Sequence, residues 1–170
     1  MTLTVEPLTT WSDTDVADVT ALVRLLGHHA DEASMRSRLE RLTPEAGHRT
    51  WVVRDADGRA VAVAGGQVTW TYASDEPTAQ LLLLVVDPSA RRLGTGSLLL
   101  GTFETWAAEQ GAHQLSAVSA AATDSAHRFY QRRGYHEAGV RFTRLFCVLA
   151  NVGAPRAGVP RTPARGVSSS

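Results

Sequence analysis

One segment limits the architecture of this chain more than any other: Val85-Val86-Asp87-Pro88-Ser89-Ala90-Arg91-Arg92-Leu93-Gly94-Thr95-Gly96. It follows an apolar run, Gln80 to Val86, that reads as a buried strand ended by Asp87-Pro88. Beyond it, Leu99, Phe103, Trp106 and Gln110 recur at helical spacing, and Gly111 closes that helix. A buried strand, a glycine-containing turn and an apolar-striped helix in that order belong to a sheet covered by helices. Gly94 and Gly96 lack Cβ, so backbone N–H groups there can approach an anion, and the helix start adds its positive end. Arg91 and Arg92 can add charge-assisted contacts to phosphate oxygens. A Walker A loop is excluded because no Gly-Lys-Ser/Thr follows, and Leu99 stands where a dinucleotide fingerprint needs its third glycine. By itself, so short a glycine motif also suits an ordinary strand–helix turn.

The periodicity on either side fills in the order of elements. Thr2 to Leu8 alternates as a first strand, and Ser12-Asp13 caps a helix with Val16, Val19, Val23 and Leu26 on one face. Glu32 to Leu42 reads as a second helix, acidic early and basic late, as the helix dipole prefers. Trp51-Val52-Val53 and Val61-Ala62-Val63 flank Asp55-Ala56-Asp57-Gly58 as a hairpin, with the second strand running past Gly65-Gly66 to Tyr72. After the main helix come a strand over Gln114 to Ser119 and a helix from Thr123 to Arg133 stopped by Gly134. Strands around Tyr135 to Ala138 and Val140 to Val148 close the order. The expected fold is α+β, with one mixed central sheet of about six or seven strands flanked by about four helices.

Composition trims the functional choices. The 170 residues suit one domain over 1–150, followed at 151–170 by a tail of three prolines, three arginines and a closing triple serine. That tail lacks the apolar surface to offset its ordering entropy and reads as flexible. All 17 basic residues are arginine, balanced by 17 acids, which argues against nucleic-acid or membrane binding driven by charge. Residues 1–150 alone carry 14 arginines against 17 acids, a mildly acidic body that favours cationic small substrates. Cys147 is the single cysteine and a core thiol rather than a nucleophile, and no Cys/His spacing suggests a metal. No apolar run approaches the ~20 residues of a membrane helix, and Met1 to Thr10 shows no signal-peptide pattern, so a cytoplasmic location is expected.

A second segment, Ala126-His127-Arg128-Phe129-Tyr130-Gln131-Arg132-Arg133-Gly134-Tyr135, begins 35 residues after Arg91. Together with Arg91-x-x-Gly94-x-Gly96 it resembles the GCN5-related N-acetyltransferase (GNAT) superfamily, over roughly residues 2–148. The resemblance implies acetyl-CoA as co-substrate, its pyrophosphate cradled by Arg91, Arg92, Leu93, Gly94, Thr95, Gly96 and Ser97. It implies a pantetheine arm paired with the backbone of Leu84, Val85 and Val86, and the Val86 N–H at the thioester carbonyl. Tyr130 would protonate the leaving thiolate, with Thr123 and Ala126 as further cofactor contacts. Thr123 stands where the family often has asparagine.

One departure matters. Many members carry a glutamate on the strand before the turn as general base, and Gln80 to Val86 contains no carboxylate. The amine proton must then leave through water or through a group from elsewhere, with Asp75, Glu76, His28 and His29 as candidates, each equally at home as a solvated loop group. Trp70 and Tyr72 alternate and would line an acceptor pocket or cover the sheet. The C-terminal segment with Arg141 and Arg144 is similar to small-molecule amine acetyltransferases, of the aminoglycoside or aminoalkylphosphonate type. The implied activity is acetyl transfer to a primary amine of a small polar molecule, an aminoglycoside-type antibiotic ahead of an aminophosphonate or a protein amine. A non-catalytic acyl-CoA-binding module is the alternative of another class, and a homodimer is allowed for.

Overall fold

A computed structural model of the chain describes residues 4–118 and 124–138. Its elements are β1 (Val5–Leu8), α1 (Asp13–Arg24), α2 (Glu32–Leu39), β2 (His48–Arg54), β3 (Ala60–Thr69), β4 (Thr78–Val86), α3 (Thr95–Glu109), β5 (Gln114–Ala117) and α4 (Asp124–Arg132). Short 3-10 turns at Pro44–Ala46 and Pro88–Ala90 precede β2 and follow β4. Contacts divide the chain after His136, and everything below concerns the first unit.

The sheet runs β1-β2-β3-β4-β5, antiparallel through β4, with β5 parallel to β4. It is therefore mixed, as expected. Among the described residues it has five strands where six or seven were expected. Val140–Val148 lies outside those residues, as do Met1–Leu3 and the 151–170 tail. Tyr135–Ala138, expected as a strand, carries none. The chain there is engaged in ending α4. Gly134 turns left-handed at φ 85°, its N–H meets Gln131 C=O at 3.0 Å, and Tyr135 N–H reaches back to Tyr130 C=O at 3.1 Å. This double hydrogen bond closes the helix and stacks Tyr135 on Tyr130, ring centroids 5.6 Å apart.

The predicted hairpin forms between β2 and β3. Asp55 Oδ1 accepts from the N–H groups of Asp57 and Arg59, and Gly58 supplies the left-handed residue. β3 ends at Thr69, short of Tyr72, because the polar loop that follows offers no further pairing to β4. α2 stops at Leu39, after which Arg41 and Leu42 make only the tighter bonds of a frayed end.

Two cores flank the sheet. α1 and α2 place Val16, Val19, Leu22, Val23, Met35 and Leu39 against Val52, Val63 and Val85 on one face. α3 places Leu99, Phe103, Trp106 and Ala107 against Trp51, Ala62, Ala64 and Leu81 on the other. Phe103 is wholly buried, and truncating such a side chain to alanine costs about 3–5 kcal/mol. α3 lies close because β3 carries Gly66 beneath it: a Cβ there would sit 2.7 Å from the Phe103 ring and 3.1 Å from Trp106.

β4 changes phase halfway. Ala79 and Leu81 face the α3 core, but so do Leu84 and Val86. An odd series and an even series share one face only if a residue is inserted between them. The register supplies it: Gly66 pairs with Leu81 and Gly65 with Leu83, leaving Leu82 as a bulge. β5 follows β4 only as far as the Leu81–Ala117 pair. Among the described residues, the edge of β4 from Leu82 to Val86 is unpaired.

Candidate active site

The open edge has a definite chemical face. Asp87 N–H bonds Val61 C=O at 2.8 Å. In an antiparallel ladder the outward and inward groups alternate, so Leu83 and Val85 point their N–H and C=O at β3 while Leu84 and Val86 point theirs away. Leu84 and Val86 thus present backbone donors and acceptors to the open edge. Val85, expected as a cofactor contact, is not brought there: its backbone serves β3 and its side chain is buried in the α1 core. Val86 C=O is already met by Arg91 Nε at 3.1 Å, which ties the turn back onto the strand.

The edge leads into the predicted turn. Asp87 accepts from Ser89 N–H at 2.9 Å and from its hydroxyl at 2.6 Å, fixing the 3-10 turn. Those bonds hold the Asp87 carboxyl below the ordinary carboxylate range. Arg92 (φ 63°) and Gly94 (φ 83°) both adopt left-handed backbone. Only glycine does so freely, so Arg92 stores about 1 kcal/mol of strain. Gly94 is the N-cap of α3 and makes no side-chain cap. A helix begun this way leaves its first N–H groups to whatever approaches. Thr95 is buried, its hydroxyl donated to Ala90 C=O at 2.9 Å, so its side chain holds the turn and only its backbone is free. Arg91, Arg92, Leu93 and Ser97 are exposed around this end. Such a curled backbone at a helix start is an anion cradle, and its residues fit a pyrophosphate.

α4 packs over the cradle. A Cβ at Gly96 would lie 3.7 Å from Val86 Cγ2 and 3.8 Å from the Phe129 ring, so strand end, turn and α4 meet at this glycine. Phe129 stands edge-on to Tyr130, centroids 5.3 Å apart, and Tyr130 edge-on to Tyr135. Phe129, Tyr130 and Tyr135 all pack against the α3 core with Leu84 and Val86. Burial pushes the Tyr130 phenol above its ordinary 10.0, so it stays protonated across the neutral range. Burial raises Tyr135 further, helped by the charge of Glu104, and its buried hydroxyl has no hydrogen-bond partner among the described residues. Arg133 bonds Glu104 at 2.7 Å and clamps α4 to α3. Ala126 is half-buried on the same helix, and Thr123 lies outside the described residues.

The other expected site residues scatter. His28 and His29 are exposed on the loop between α1 and α2 and line a shallow cleft of about 490 Å³ with Asp31. Trp70 and Tyr72 are exposed beyond the end of β3. Asp75 and Glu76 precede β4, and Glu76 sits 3.9 Å from His113 at the start of β5. At ~3.3 Å per residue the start of β4 at Thr78 is roughly 13 Å from Leu82 and 26 Å from Val86. Among the described residues no cluster of His, Cys, Asp and Glu suits a metal. Cys147, Arg141 and Arg144 lie outside them. The Leu82 bulge and Phe129 escaped the sequence reading. Phe129 had a usable signal, being adjacent to Tyr130, whereas the bulge had none in a run of identical leucines.

Comparison with known proteins agrees with this geometry. The profile of the Acetyltransferase (GNAT) family matches residues 19–135. The chain belongs to that family, whose members transfer the acetyl group of acetyl-CoA to an amine, and it is an N-acetyltransferase. Solved structures share the fold. The aminoglycoside 6'-N-acetyltransferase AAC(6')-Ih of Acinetobacter baumannii is 21% identical, with a TM-score of 0.70 over 85% of this chain and 99% of that one. AAC(6')-Iy, bound to a CoA–acetylneamine bisubstrate analogue, is 18% identical, with a TM-score of 0.72 over 86% and 100%. A transcriptional regulator of Bacillus halodurans C-125 is 15% identical, with a TM-score of 0.75 over 85% and 100%. A search of curated proteins finds no match. Among the described residues no helix is long and apolar enough to cross a membrane.

Proposed function

We propose that this chain acetylates a primary amine of a small polar molecule by direct transfer, with the amine and acetyl-CoA bound together. The observation that carries this reading is the continuity of three parts: an edge of β4 that is unpaired among the described residues, an uncapped helix start directly beyond it, and the Tyr130 helix packed over both at Gly96. Acetyl-CoA supplies the activated acyl group as its thioester. The N–H groups of residues 94–97, with Arg91 and Arg92, hold the pyrophosphate. The outward N–H groups of Leu84 and Val86 are the donors for the arm and for the thioester carbonyl, where negative charge grows as the amine attacks. Tyr130, kept protonated by burial, gives its proton to the departing sulfur. β4 carries no carboxylate to take the proton of the amine, so that proton leaves to water. Residues 84–86 and 91–97 contain no thiol, so no acyl-enzyme forms there.

Release of free thiol from acetyl-CoA across a panel of amines tests the activity. In the same assay Tyr130→Phe should lower kcat about ten- to a thousand-fold, with acetyl-CoA affinity unchanged. Full activity in a folded Tyr130→Phe protein would leave Tyr130 as packing only. The acceptors of the aminoglycoside acetyltransferases that share this fold make an amino sugar the first candidate, consistent with the acidic balance of residues 1–150.

A further inference from the structure

β4 and β5 stop pairing at an apolar point. Leu81 and Ala117 are their last partners, and both pack toward α3. The next residue of each strand, Leu82 and Val118, turns to the other face and belongs to neither core. Leu82 is 46% exposed and Val118 55%. Two large apolar side chains thus stand in water on either side of the place where the open edge begins. An arm that starts at the cradle beyond Val86 and follows that edge backward carries its thioester toward Leu84, two residues or ~7 Å from Leu82. Phe129 and Tyr130 lie on the α3 side with Leu84 and Val86, which leaves the face of Leu82 and Val118 for the amine. No ionisable side chain occurs from Gln80 to Val86 or from Gln114 to Val118. Of the helices at this edge, α3 offers Glu104, held by Arg133 at 2.7 Å, and α4 carries Asp124, His127, Arg128, Tyr130 and Arg132. His28, His29 and Asp31 of the α1–α2 loop line a cleft of their own.

We infer that Leu82 and Val118 form the mouth through which the acceptor enters, and that this mouth admits the amine as its free base and so selects weakly basic primary amines. A thioester is attacked by an amine whose lone pair is free. An ammonium at an apolar mouth loses part of its hydration, and neither strand holds an anion to replace it. Its extra proton therefore stays behind in bulk water. The free base brings two N–H protons. As the N–C bond forms and the C–S bond breaks, one stays on the amide. The other replaces, by way of water, the proton that Tyr130 gives to sulfur, so transfer needs no carboxylate on β4. Basicity sets how much free base is on offer. At about pH 7.4 an alkylamine of the lysine type, with a pKa near 10.4, is about 0.1% uncharged, and an α-amino group near 7.8 about 30%. An electron-withdrawing group on the carbon beside the amine is thus the mark of the substrate. This inference rests on the acetyltransferase reading above and concerns the charge of the acceptor, whatever its scaffold.

Thiol release from saturating acetyl-CoA by the full chain, with n-butylamine or glycinamide as acceptor, provides the test. A window of about pH 7.5 to 9 lies above the ordinary histidine range and below the tyrosine one. KM and kcat separate the two modes of entry. Entry as free base lowers the KM of total butylamine about ten-fold per pH unit while kcat stays flat, and the KM of glycinamide levels off above about pH 8. Leu82→Glu, at an exposed side chain, should admit the ammonium. It should lower the butylamine KM at about pH 7.5 roughly ten-fold and flatten its pH dependence. Val118→Glu should act alike, and Leu82→Met should keep the parent's profile. A kcat that rises with pH at constant KM would mean that the amine enters charged, which overturns the mouth and leaves the transfer standing. A butylamine KM unmoved by both glutamate variants would overturn the mouth as well. No thiol release from either amine or from a wider panel would reject the transfer, and the mouth with it.

Discussion

α1 and α3 begin in opposite ways. Ser12 and Asp15 close the start of α1 with a reciprocal capping box: the Ser12 hydroxyl accepts from Asp15 N–H at 3.1 Å, and Asp15 Oδ2 accepts from Ser12 N–H at 3.0 Å. Arg54 then donates to the other Asp15 oxygen at 2.6 Å. α2 is capped as well, by Asp31. α3 opens with a glycine and no cap. The chain therefore caps α1 and α2 with side chains and leaves bare the start of α3, where the pyrophosphate is proposed to sit. Capping is worth about 1 kcal/mol, and α3 goes without it because its long buried face with Leu99, Phe103 and Trp106 holds it in place.

The contrast breaks most visibly if α3 is given a cap. Gly94→Asp should place a carboxylate where the pyrophosphate lies. Aspartate tolerates left-handed backbone better than most residues, and nothing lies within 4 Å of the new Cβ. The fold should survive while affinity for CoA falls about a hundred-fold, roughly 2.7 kcal/mol, as read by calorimetry. Unchanged affinity would place the phosphates elsewhere.

Opening α1 should do the reverse. Asp15→Ala removes the box and the Arg54 partner together. The side chain is only 10% exposed, so the loss should be about 2–3 kcal/mol in denaturant unfolding, with CoA affinity of the folded protein unaltered. A fall in CoA affinity would show that the two ends are coupled.

The smallest effect is a pH dependence. Burial works to raise the Asp15 pKa, but the hydrogen bonds from Ser12 and Arg54 outweigh it and hold the carboxyl below its ordinary 3.8. A lowered carboxylate stabilises fully above its unfolded value and loses that contribution as pH falls through the folded one. The stability gap between the parent and Asp15→Asn should be constant from neutral pH to about 5 and shrink below 3.8. A gap that stayed constant into strong acid would mean the carboxylate charge contributes nothing.

Much of this fold was legible because its signals are local. Pro88, Gly94 and the stripe Leu99–Phe103–Trp106 fix a strand end, a turn and a helix without reference to distant residues. Asp55–Gly58 fixes the hairpin equally well. The phase of β4 was not legible, because Leu81 to Val86 is apolar throughout and alternation cannot be read where every residue is greasy. Its bulge appears only when Gly65 and Gly66 are paired against it. Asp75, Glu76, His28 and His29 are loop groups, and where a loop lies relative to the β4 edge depends on contacts far apart in the sequence.

The bulge at Leu82 also has an evolutionary consequence. Losing that single codon in frame would leave Ala79, Leu81 and Leu84 in simple alternation, a regular strand free to pair with its neighbour along more of its length. The step toward a tidier sheet is thus one deletion away, and it would close the edge along which the pantetheine arm is proposed to lie. Selection for sturdiness and selection for turnover pull in opposite directions at this one residue, so its survival in a descendant lineage would be a record of which pressure had won.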